Sequence, residues 1–428
     1  MKIAISTLGC KVNQYESQAL EAEIVRRGHE LGTFDQVCDA YVINTCSVTA
    51  TGDKKSRQAV RRAKRLHPEA VVAVCGCYSQ LHPQEAATLG AELVCGTGDR
   101  GGFIDLLERA FEDRQPSVHV DDALKRFDFE VLPAGGLSQR TRAMLKIEDG
   151  CRNFCSYCII PYARGPVRSM KPDAAIAEAK RLAEEGYKEI VLTGIEISSY
   201  GRDLEGWDIV SLTEELCRAA PAVRFRMGSL EPRTVTEDFC QKLSVFENLC
   251  PQFHLSMQSG CDSVLKRMNR KYDTGRYFES VSLLRRYFPG CAVTTDLIVG
   301  FPGETDEEFE QTLEFIKRCA FSSMHIFPYS PRPDTPAAKM DNQVKNSVKE
   351  LRAAQAAKVA AQMEAQYLQS LVGSRLKVLF ETEEKGFFTG HAGNYMKVAV
   401  EGNSLHNVEK TVIITGINKD VLTGVLDE

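Results

Sequence analysis

The stretch AMLKIEDGCRNFCSYC (residues 143–158) joins an apolar run to three cysteines that lie within eight residues. The apolar part, AMLKI (143–147), predicts a β-strand. Cys151, Cys155 and Cys158 follow it with the spacing Cys-x3-Cys-x2-Cys, and we call them the central triad. A structural zinc site needs four ligands, and a ferredoxin cluster likewise uses four cysteines. Three cysteines instead suit a 4Fe–4S cluster with one iron left open for a small molecule.

Further candidate strands follow this one at intervals that leave room for helices. They are EIVLTG (189–194), VRFRMGS (223–229), FHLSM (253–257), VTTDLIVG (293–300) and SMHIFP (323–328). Together with residues 143–147 they predict a partial β/α barrel of six strands, whose site lies at the carboxyl ends of the strands. Residues 343–370 are rich in Ala, Lys and Gln and lack Gly and Pro, which predicts one long helix.

The N-terminal region alternates apolar strands with helical stretches, which predicts a doubly wound α/β domain. The candidate strands are KIAIST (2–7), AYVINT (40–45) and AVVAVCG (70–76). Cys10, Cys46 and Cys77, which we call the N-terminal triad, follow these strands. Because the carboxyl ends of parallel strands converge on one rim of a sheet, we expect these cysteines to lie together and bind metal. Cys75 ends a Val-rich strand and is expected to point into the core.

The chain therefore predicts an α/β fold with three domains. We place the doubly wound domain at residues 1–115, a linker at 116–140 where Pro and Gly interrupt the rhythm, and the partial barrel at 141–368. Residues 369–428 contain short strands with Gly or Asn turns, which predict a small closed β-barrel of OB-like form. These strands are SRLKVLFE, GFFTGHA, MKVAVEG and TVIITGI.

Composition bounds the class of protein. Hydrophobic residues make up 43% and charged residues 26% of the chain, as in globular proteins. Polar residues interrupt the N-terminal apolar run before a signal-peptide core forms, and no run approaches the ~20 apolar residues of a membrane helix. We therefore expect a cytoplasmic protein with no membrane partner. In that compartment the fifteen cysteines are not expected to form disulfides, so the clustered ones are candidates for metal.

The aromatic residue Tyr157, placed before the last cysteine of the central triad, completes a pattern that resembles the signature of radical S-adenosylmethionine enzymes. The whole chain is similar to the methylthiotransferases of that superfamily. The motifs that carry this resemblance are TLGCKVNQYES, NTCSVT, GCYSQ, CIIPYARGPVRS, HLSMQSGC and GFPGETDEEF. The resemblance implies a 4Fe–4S cluster on each triad, S-adenosylmethionine on the central one, a low-potential electron donor such as flavodoxin or ferredoxin, and a final barrel similar to the RNA-binding TRAM domain.

In that family one S-adenosylmethionine gives a 5′-deoxyadenosyl radical at the central cluster, and a second methylates sulfur at the other cluster. The methylthio group is then joined to C2 of an adenosine in tRNA. The resemblance also implies contacts with S-adenosylmethionine along the barrel rim. The residues concerned are Gly194, Glu196, Ser229, Glu231, Ser256, Gln258, Ile298 and Gly300.

The segment KKSRQAVRRAKR (54–65) holds seven basic residues among twelve and closely follows Cys46. A charge run is usually a solvated helix face; the alternative is contact with RNA phosphates. Residues 370–428 carry six Lys or Arg against eight Asp or Glu, so the final barrel lacks a basic footprint. Its aromatic side chains could contact RNA instead or pack in its core. They are Phe387, Phe388 and Tyr395.

Within the family, GCKVNQYES, CSVTATGDKKSRQ and CIIPYARGPVRS most resemble the branch that acts on threonylcarbamoyladenosine at position 37, in the anticodon loop of tRNA. That base carries a carboxylate, with which Lys54, Lys55 or Arg57 could pair. Isopentenyladenosine in tRNA and an aspartate of a ribosomal protein, the substrates of other branches, remain alternatives. A non-catalytic iron–sulfur or zinc protein that binds RNA is the alternative from another class.

Overall fold

The structure is a computed structural model that describes residues 1–132, 141–384 and 386–427. Its N-terminal part alternates short strands with helices. The strands are β1 Lys2–Thr7, β2 Glu30–Gly32, β3 Ala40–Thr45, β4 Val71–Gly76, β5 Leu93–Cys95 and β6 Ser117–His119. The helices are α1 Lys11–Arg26, α2 Ala50–Leu66, α3 Cys77–Leu81, α4 Pro83–Thr88 and α5 Phe103–Asp113.

These strands form one parallel sheet with the order β2-β1-β3-β4-β5-β6. Helices α1 and α5 cover one face with apolar side chains such as Leu20 and Phe103, and α2 and α4 cover the other with Val60 and Ala86. Strand β2 lies on one side of β1, whereas β3 and the later strands lie on the other side, so the order of the strands reverses between β1 and β3. In doubly wound folds the crevice at this switch point is where ligands bind.

The structure differs from the prediction of a linker at residues 116–140. Strand β6 lies inside the range 116–140 and pairs with β5, so part of this range belongs to the N-terminal sheet. A 3-10 turn, Ala123–Lys125, follows. Residues 133–140 lie outside the described residues, and the domain boundaries at 115, 140 and 368 stay predictions.

The central part contains seven parallel strands. They correspond to the six predicted ones, because two of them follow each other within residues 224–230. They are β7 Arg142–Lys146, β10 Glu189–Thr193, β11 Arg224–Met227, β12 Ser229–Leu230, β13 Gln252–Leu255, β14 Ala292–Val299 and β15 Ser323–Pro328. They pair in the orders β11-β10-β7 and β12-β13-β14-β15. Only Gly228 separates β11 from β12, so one stretch of chain passes from the first group to the second. The predicted partial barrel is confirmed.

A short antiparallel ribbon of β8 (Glu148–Asp149) and β9 (Arg168–Ser169) carries the loop of the central triad. Helix α6 Ile160–Arg164 lies within the loop that this ribbon closes. The other helices of the central part pack on the barrel and form the largest apolar core with it. They are α7 Pro172–Glu184, α8 Ile209–Ala219, α9 Glu237–Leu243, α10 Asp262–Arg267, α11 Thr274–Tyr287, α12 Asp306–Cys319 and α13 Asn346–Ser370. The last of these confirms the predicted long helix.

The C-terminal strands close into a five-stranded barrel, consistent with a TRAM-like domain. They are β16 Arg375–Glu384, β17 Phe387–Ala392, β18 Lys397–Glu401, β19 Glu409–Asn418 and β20 Val421–Leu426. Strand β20 was not among the predicted strands, and it closes the barrel by pairing with both β18 and β19. Within the described residues no helix is both long and apolar enough to cross a membrane.

This barrel packs against the amino-terminal ends of the central strands. Arg226 Nη1 donates to the Gly393 carbonyl oxygen at 2.8 Å, and its guanidinium lies 4.6 Å from the ring centre of Tyr395. Tyr395 therefore packs against the central barrel. The suggestion that Phe388 contacts RNA is wrong, because that side chain is only 2% exposed in the barrel core, whereas the neighbouring Phe387 is 45% exposed.

Candidate functional site

The N-terminal triad lies at the switch point of the first sheet. Cys10 follows β1 and Cys46 follows β3, while Cys77 is the first residue of α3, directly after β4, rather than a loop residue. Cys46 and Cys77 are buried and Cys10 is exposed. Gly9 has a positive φ of 105°, and a Cβ built there would lie 2.9 Å from Cys46 Sγ. Glycine at this position therefore lets the β1 loop approach the second cysteine.

The Cys10 and Cys46 thiols lie close enough to Cys77 to act on its pKa. Burial raises the pKa of Cys77 to about 11, the Arg164 guanidinium acts in the opposite direction, and the Cys10 and Cys46 thiols raise it further. Burial likewise raises the pKa of Cys46, with a smaller contribution from Cys10. The structure thus brings together three cysteines that are 36 and 31 residues apart in the sequence. Cys75, by contrast, is fully buried in the core, as expected.

The central triad lies on the loop between β8 and α6. The Cys151 N–H donates to the Gly165 carbonyl oxygen at 3.0 Å, and the Cys158 N–H donates to the Cys155 carbonyl oxygen at 2.9 Å. Phe154 has a left-handed φ of 46° inside this loop. These features fold the loop tightly, so that the three sulfur atoms share one environment. The pKa of Cys158 is raised to about 12, mainly by burial and next by the neighbouring Cys155 thiol.

The residues around both triads fit iron–sulfur clusters. Four of the six sulfur atoms accept a hydrogen bond from a backbone or arginine N–H, the kind of contact that stabilises cluster-bound thiolates. The pairs are Val48 N to Cys46 at 3.5 Å, Arg164 Nε to Cys77 at 3.4 Å, Asn153 N to Cys151 at 3.5 Å and Arg270 Nη1 to Cys155 at 3.2 Å. In the described part of the chain no three His, Cys, Asp or Glu side chains are placed so that they could hold a single metal ion. A 4Fe–4S cluster does not need that, because each thiolate binds a different iron.

The two triads are connected through one short helix. The Cys77 thiol is one of the smaller contributions to the raised pKa of Cys158, after burial and the Cys155 thiol. Helix α6 begins two residues after Cys158 and ends at Arg164, whose Nε donates to Cys77 Sγ. A single short helix therefore connects the central triad to the surroundings of the N-terminal triad.

The residues assigned to S-adenosylmethionine by resemblance lie near the carboxyl ends of four barrel strands, on the same rim as the central triad. Gly194 and Glu196 follow β10, Ser229 begins β12 with Glu231 after it, Ser256 and Gln258 follow β13, and Ile298 and Gly300 lie at the end of β14. Ser229 is exposed, and the Glu231 carboxylate accepts a hydrogen bond from Arg233 Nε at 2.9 Å. Their contact with S-adenosylmethionine stays a prediction.

Glu148, which the sequence analysis missed, lies beneath the turn formed by Gly194 and Glu196. The Glu196 N–H donates to Glu148 Oε2 at 2.7 Å, while Glu148 Oε1 is buried and has no partner among the described residues. Burial raises the pKa of this carboxyl group well above its usual value. Asn153 Nδ2 donates to Glu196 Oε2 at 3.4 Å and so joins this turn to the cysteine loop. The unpartnered oxygen fits a polar group of a cofactor.

Replacing Gly194 with alanine is expected to weaken S-adenosylmethionine binding at least about tenfold, or about 1.4 kcal/mol. The added Cβ would lie 2.7 Å from Glu148 Oε2 and 2.9 Å from Ile197 Cγ2, so the turn must move. Equilibrium binding of S-adenosylmethionine to the reconstituted protein measures this effect. Gly101→Ala is the matched control, since its Cβ would meet nothing closer than 3.8 Å. Unchanged affinity in Gly194→Ala would contradict the assignment of this turn.

Two arginines were also missed as site residues. Arg164 lies in the quoted motif CIIPYARGPVRS, only six residues after Cys158, so its position was a usable signal. Arg270 lies 115 residues from Cys155 in sequence, and no local pattern connects them. Each of the two guanidinium groups donates a hydrogen bond to a cysteine sulfur, Arg164 to Cys77 and Arg270 to Cys155.

The basic residues proposed for the substrate begin close to the N-terminal triad. Gly52, in the first turn of α2, would place a Cβ 3.4 Å from Cys46 Sγ. Lys54 and Lys55 are exposed on the next turn. Arg57 is half-buried and lies 3.6 Å from the Glu85 carboxylate. The first two are therefore available to a ligand near the triad, and Arg57 already has a partner.

Comparisons with known proteins match two separate regions of the chain. Residues 145–316 match the model described as the Radical SAM superfamily, and residues 2–96 match the one described as uncharacterized protein family UPF0004. In fold, the chain resembles the radical S-adenosylmethionine methyltransferase TsrM from Kitasatospora setae, with a TM-score of 0.56 over 90% of this chain and 79% of that one, at 15% identity.

Two curated relatives match nearly the whole chain. The threonylcarbamoyladenosine tRNA methylthiotransferase MtaB of Bacillus subtilis is 43% identical over 407 residues, which cover 94% of this chain and 90% of the relative. The tRNA-2-methylthio-N(6)-dimethylallyladenosine synthase of Pelotomaculum thermopropionicum is 32% identical over 99% of this chain and 97% of the relative. The chain therefore belongs to the radical S-adenosylmethionine tRNA methylthiotransferase family.

Proposed function

We propose that this chain transfers a methylthio group to C2 of N6-threonylcarbamoyladenosine at position 37 of tRNA, giving 2-methylthio-N6-threonylcarbamoyladenosine. The observation that carries the proposal is the connection of two three-cysteine sites through α6, which begins two residues after Cys158 and ends at Arg164, whose Nε donates to Cys77 Sγ at 3.4 Å. The proposal assigns one 4Fe–4S cluster to each triad and S-adenosylmethionine to the central one. It also assigns the reducing electron to a low-potential donor such as flavodoxin or ferredoxin.

When bound, these groups supply the one-electron chemistry that an unactivated adenine C2–H bond requires, together with a place to hold sulfur. The chain supplies position and surroundings. The tight loop at 151–158 holds three thiols on the barrel rim, and the Gly194–Glu196 turn above Glu148 offers polar groups to a charged amino-acid moiety. Burial of Cys46, Cys77 and Cys155 keeps water away from their sulfur atoms.

Threonylcarbamoyladenosine is favoured as the substrate by two findings. Identity is 43% to the relative named for this nucleoside and 32% to the one named for dimethylallyladenosine. In addition, the exposed Lys54 and Lys55 lie near the N-terminal triad and suit the carboxylate that the threonyl group carries. Dimethylallyladenosine is the second candidate, supported by the nearly full-length similarity to the second relative.

The deciding experiment is nucleoside analysis of tRNA from the host strain with and without the gene. We expect 2-methylthio-N6-threonylcarbamoyladenosine to disappear in the deletion strain and to return when the gene is supplied on a plasmid. The methylthio derivative of isopentenyladenosine should persist in both strains. Loss of the isopentenyl derivative instead would establish the second candidate, and no change in either nucleoside would refute the tRNA substrate.

The double variant Lys54→Ala, Lys55→Ala is expected to lower kcat/KM about tenfold with tRNA that carries threonylcarbamoyladenosine. The loss corresponds to about 1.4 kcal/mol, close to the lower end of the range for a hydrogen bond to a charged group. Arg65→Ala, in the last turn of α2, serves as the control. If the lysines bind phosphates instead of the carboxylate, the variant will bind modified and unmodified tRNA with equal losses. That result would rule out the carboxylate pairing while leaving the proposed reaction in place.

A further inference from the structure

Arg164 connects the central part of the chain to the N-terminal triad. It is the last residue of α6 in the central part of the chain, and its side chain is completely buried. Its Nε donates to Cys77 Sγ at 3.4 Å, its Nη2 donates to Asn13 Oδ1 at 2.8 Å, and its Nη1 donates to the Glu16 carboxylate. A residue of the central barrel is thus built into the surroundings of the N-terminal triad.

Asn13 extends this contact to a second cysteine. Its Oδ1 is also within 3.8 Å of Cys10 Sγ, which donates to it. Its Nδ2 donates to the carbonyl oxygens of Leu8 at 2.7 Å and Thr45 at 2.8 Å, so the loops after β1 and β3 hold the amide in place. The Arg164 guanidinium therefore contacts Cys77 directly and Cys10 through one side chain.

Several buried charges surround Arg164. Two buried carboxylates, Glu16 and Asp149, face a larger set of buried cations. The cations paired with them are Arg100, Lys146, Arg164 and Arg168. Arg164 is the member of this set that contacts Cys77, and a cluster held by three thiolates would place negative charge beside its guanidinium. Since reduction adds one more negative charge to a cluster, this environment favours the reduced form.

The central triad has a comparable but separate donor. Arg270 Nη1 donates to Cys155 Sγ at 3.2 Å, and its Nη2 donates to the Ser256 carbonyl oxygen at 3.1 Å. Its Nε donates to the Tyr272 hydroxyl at 2.9 Å. Each triad therefore receives one arginine N–H on one sulfur. Arg270 provides a matched control for any effect that a buried arginine has on the protein as a whole.

We propose that Arg164 is a positioning residue that raises the reduction potential of the cluster on the N-terminal triad. It does so by donating a hydrogen bond to the Cys77 thiolate and by placing a positive charge next to it. Hydrogen bonds to cluster sulfur and nearby charge are two of the factors by which a protein sets such a potential. The inference rests on the proposed function, because it requires a cluster on this triad.

The test uses the full chain with the three cysteines of the central triad changed to alanine, so that only the N-terminal cluster remains. After anaerobic reconstitution, the one-electron reduction by dithionite is followed by electron paramagnetic resonance to obtain the midpoint potential. We expect Arg164→Gln to lower the reduction equilibrium constant at least about tenfold, or about 59 mV for a one-electron couple. Arg164→Lys keeps the charge and should give a smaller decrease. Arg270→Gln should leave this potential unchanged.

The substitution is designed to spare the fold. When Arg164 becomes glutamine, Glu16 keeps Arg100 at 3.2 Å and Lys146 at 3.4 Å as partners. An unchanged potential in Arg164→Gln at full iron content would overturn the inference, as would an equal shift in Arg270→Gln. Loss of the cluster in both Arg164 variants would show that the residue is only structural. If the starting protein without central cysteines binds no iron, the two-cluster proposal itself fails, which is a distinguishable outcome.

Discussion

Replacing Cys46 with alanine is expected to abolish methylthio transfer while leaving reductive cleavage of S-adenosylmethionine within about twofold of the unmodified enzyme. Cys46 belongs to the N-terminal triad, whereas the residues expected to hold S-adenosylmethionine lie on the rim of the central barrel. The measurements are 5′-deoxyadenosine release, methylthio-nucleoside formation and iron content. Iron should fall from about eight to about four atoms per chain, because one 4Fe–4S cluster is lost.

Cys75→Ala is the matched control for this variant. Cys75 lies two residues before Cys77 but points into the core between the sheet and α5, and it is fully buried. Its removal should cost about 1 kcal/mol of stability and leave iron content and both activities intact. A Cys46→Ala enzyme that still forms the methylthio product would refute the assignment of the N-terminal triad as the sulfur-carrying site.

Replacing Cys158 with alanine is expected to abolish both S-adenosylmethionine cleavage and methylthio transfer. Cys158 is one of three thiols on a single tight loop, and a cluster held by only two of them would be lost or unable to bind its small-molecule ligand. Iron should again fall to about four atoms, now those of the N-terminal cluster. The two cysteine variants would then differ in one readout, the release of 5′-deoxyadenosine.

Cys261→Ala controls for the loss of a buried thiol near the central triad. Cys261 is 3% exposed and shares a buried apolar group with Phe301, against which Tyr157 packs. Its Sγ donates to Gln311 Oε1 at 3.3 Å rather than facing the cluster loop. This variant should keep both activities. Cleavage of S-adenosylmethionine by Cys158→Ala at the unmodified rate would remove the basis for placing the cofactor at the central triad.

Much of the fold could be predicted because its signals are local. Apolar runs such as 40–45 and 293–300 correspond to buried strands, and the Gly- and Pro-free segment 343–370 corresponds to α13. Strand β20 was missed because its six residues, VLTGVL, are a short run that Thr423 and Gly424 interrupt. Its pairing with β18 and β19 defines it as a strand. Alternation along β17 separates the buried Phe388 from the exposed Phe387, which composition does not reveal.

The ligand chemistry of each triad could be inferred from residue type and spacing, because a tight loop or a set of parallel strand ends places such residues together whatever surrounds them. The environment of the triads could not be inferred in that way. Arg164 reaches Cys77 across 87 positions when the N-terminal sheet docks on the barrel. Packing within the barrel leaves Glu148 Oε1 without a hydrogen-bond partner among the described residues. Local pattern therefore indicates what each triad binds, whereas the long-range packing of the two domains sets how close the triads come and which charges surround them.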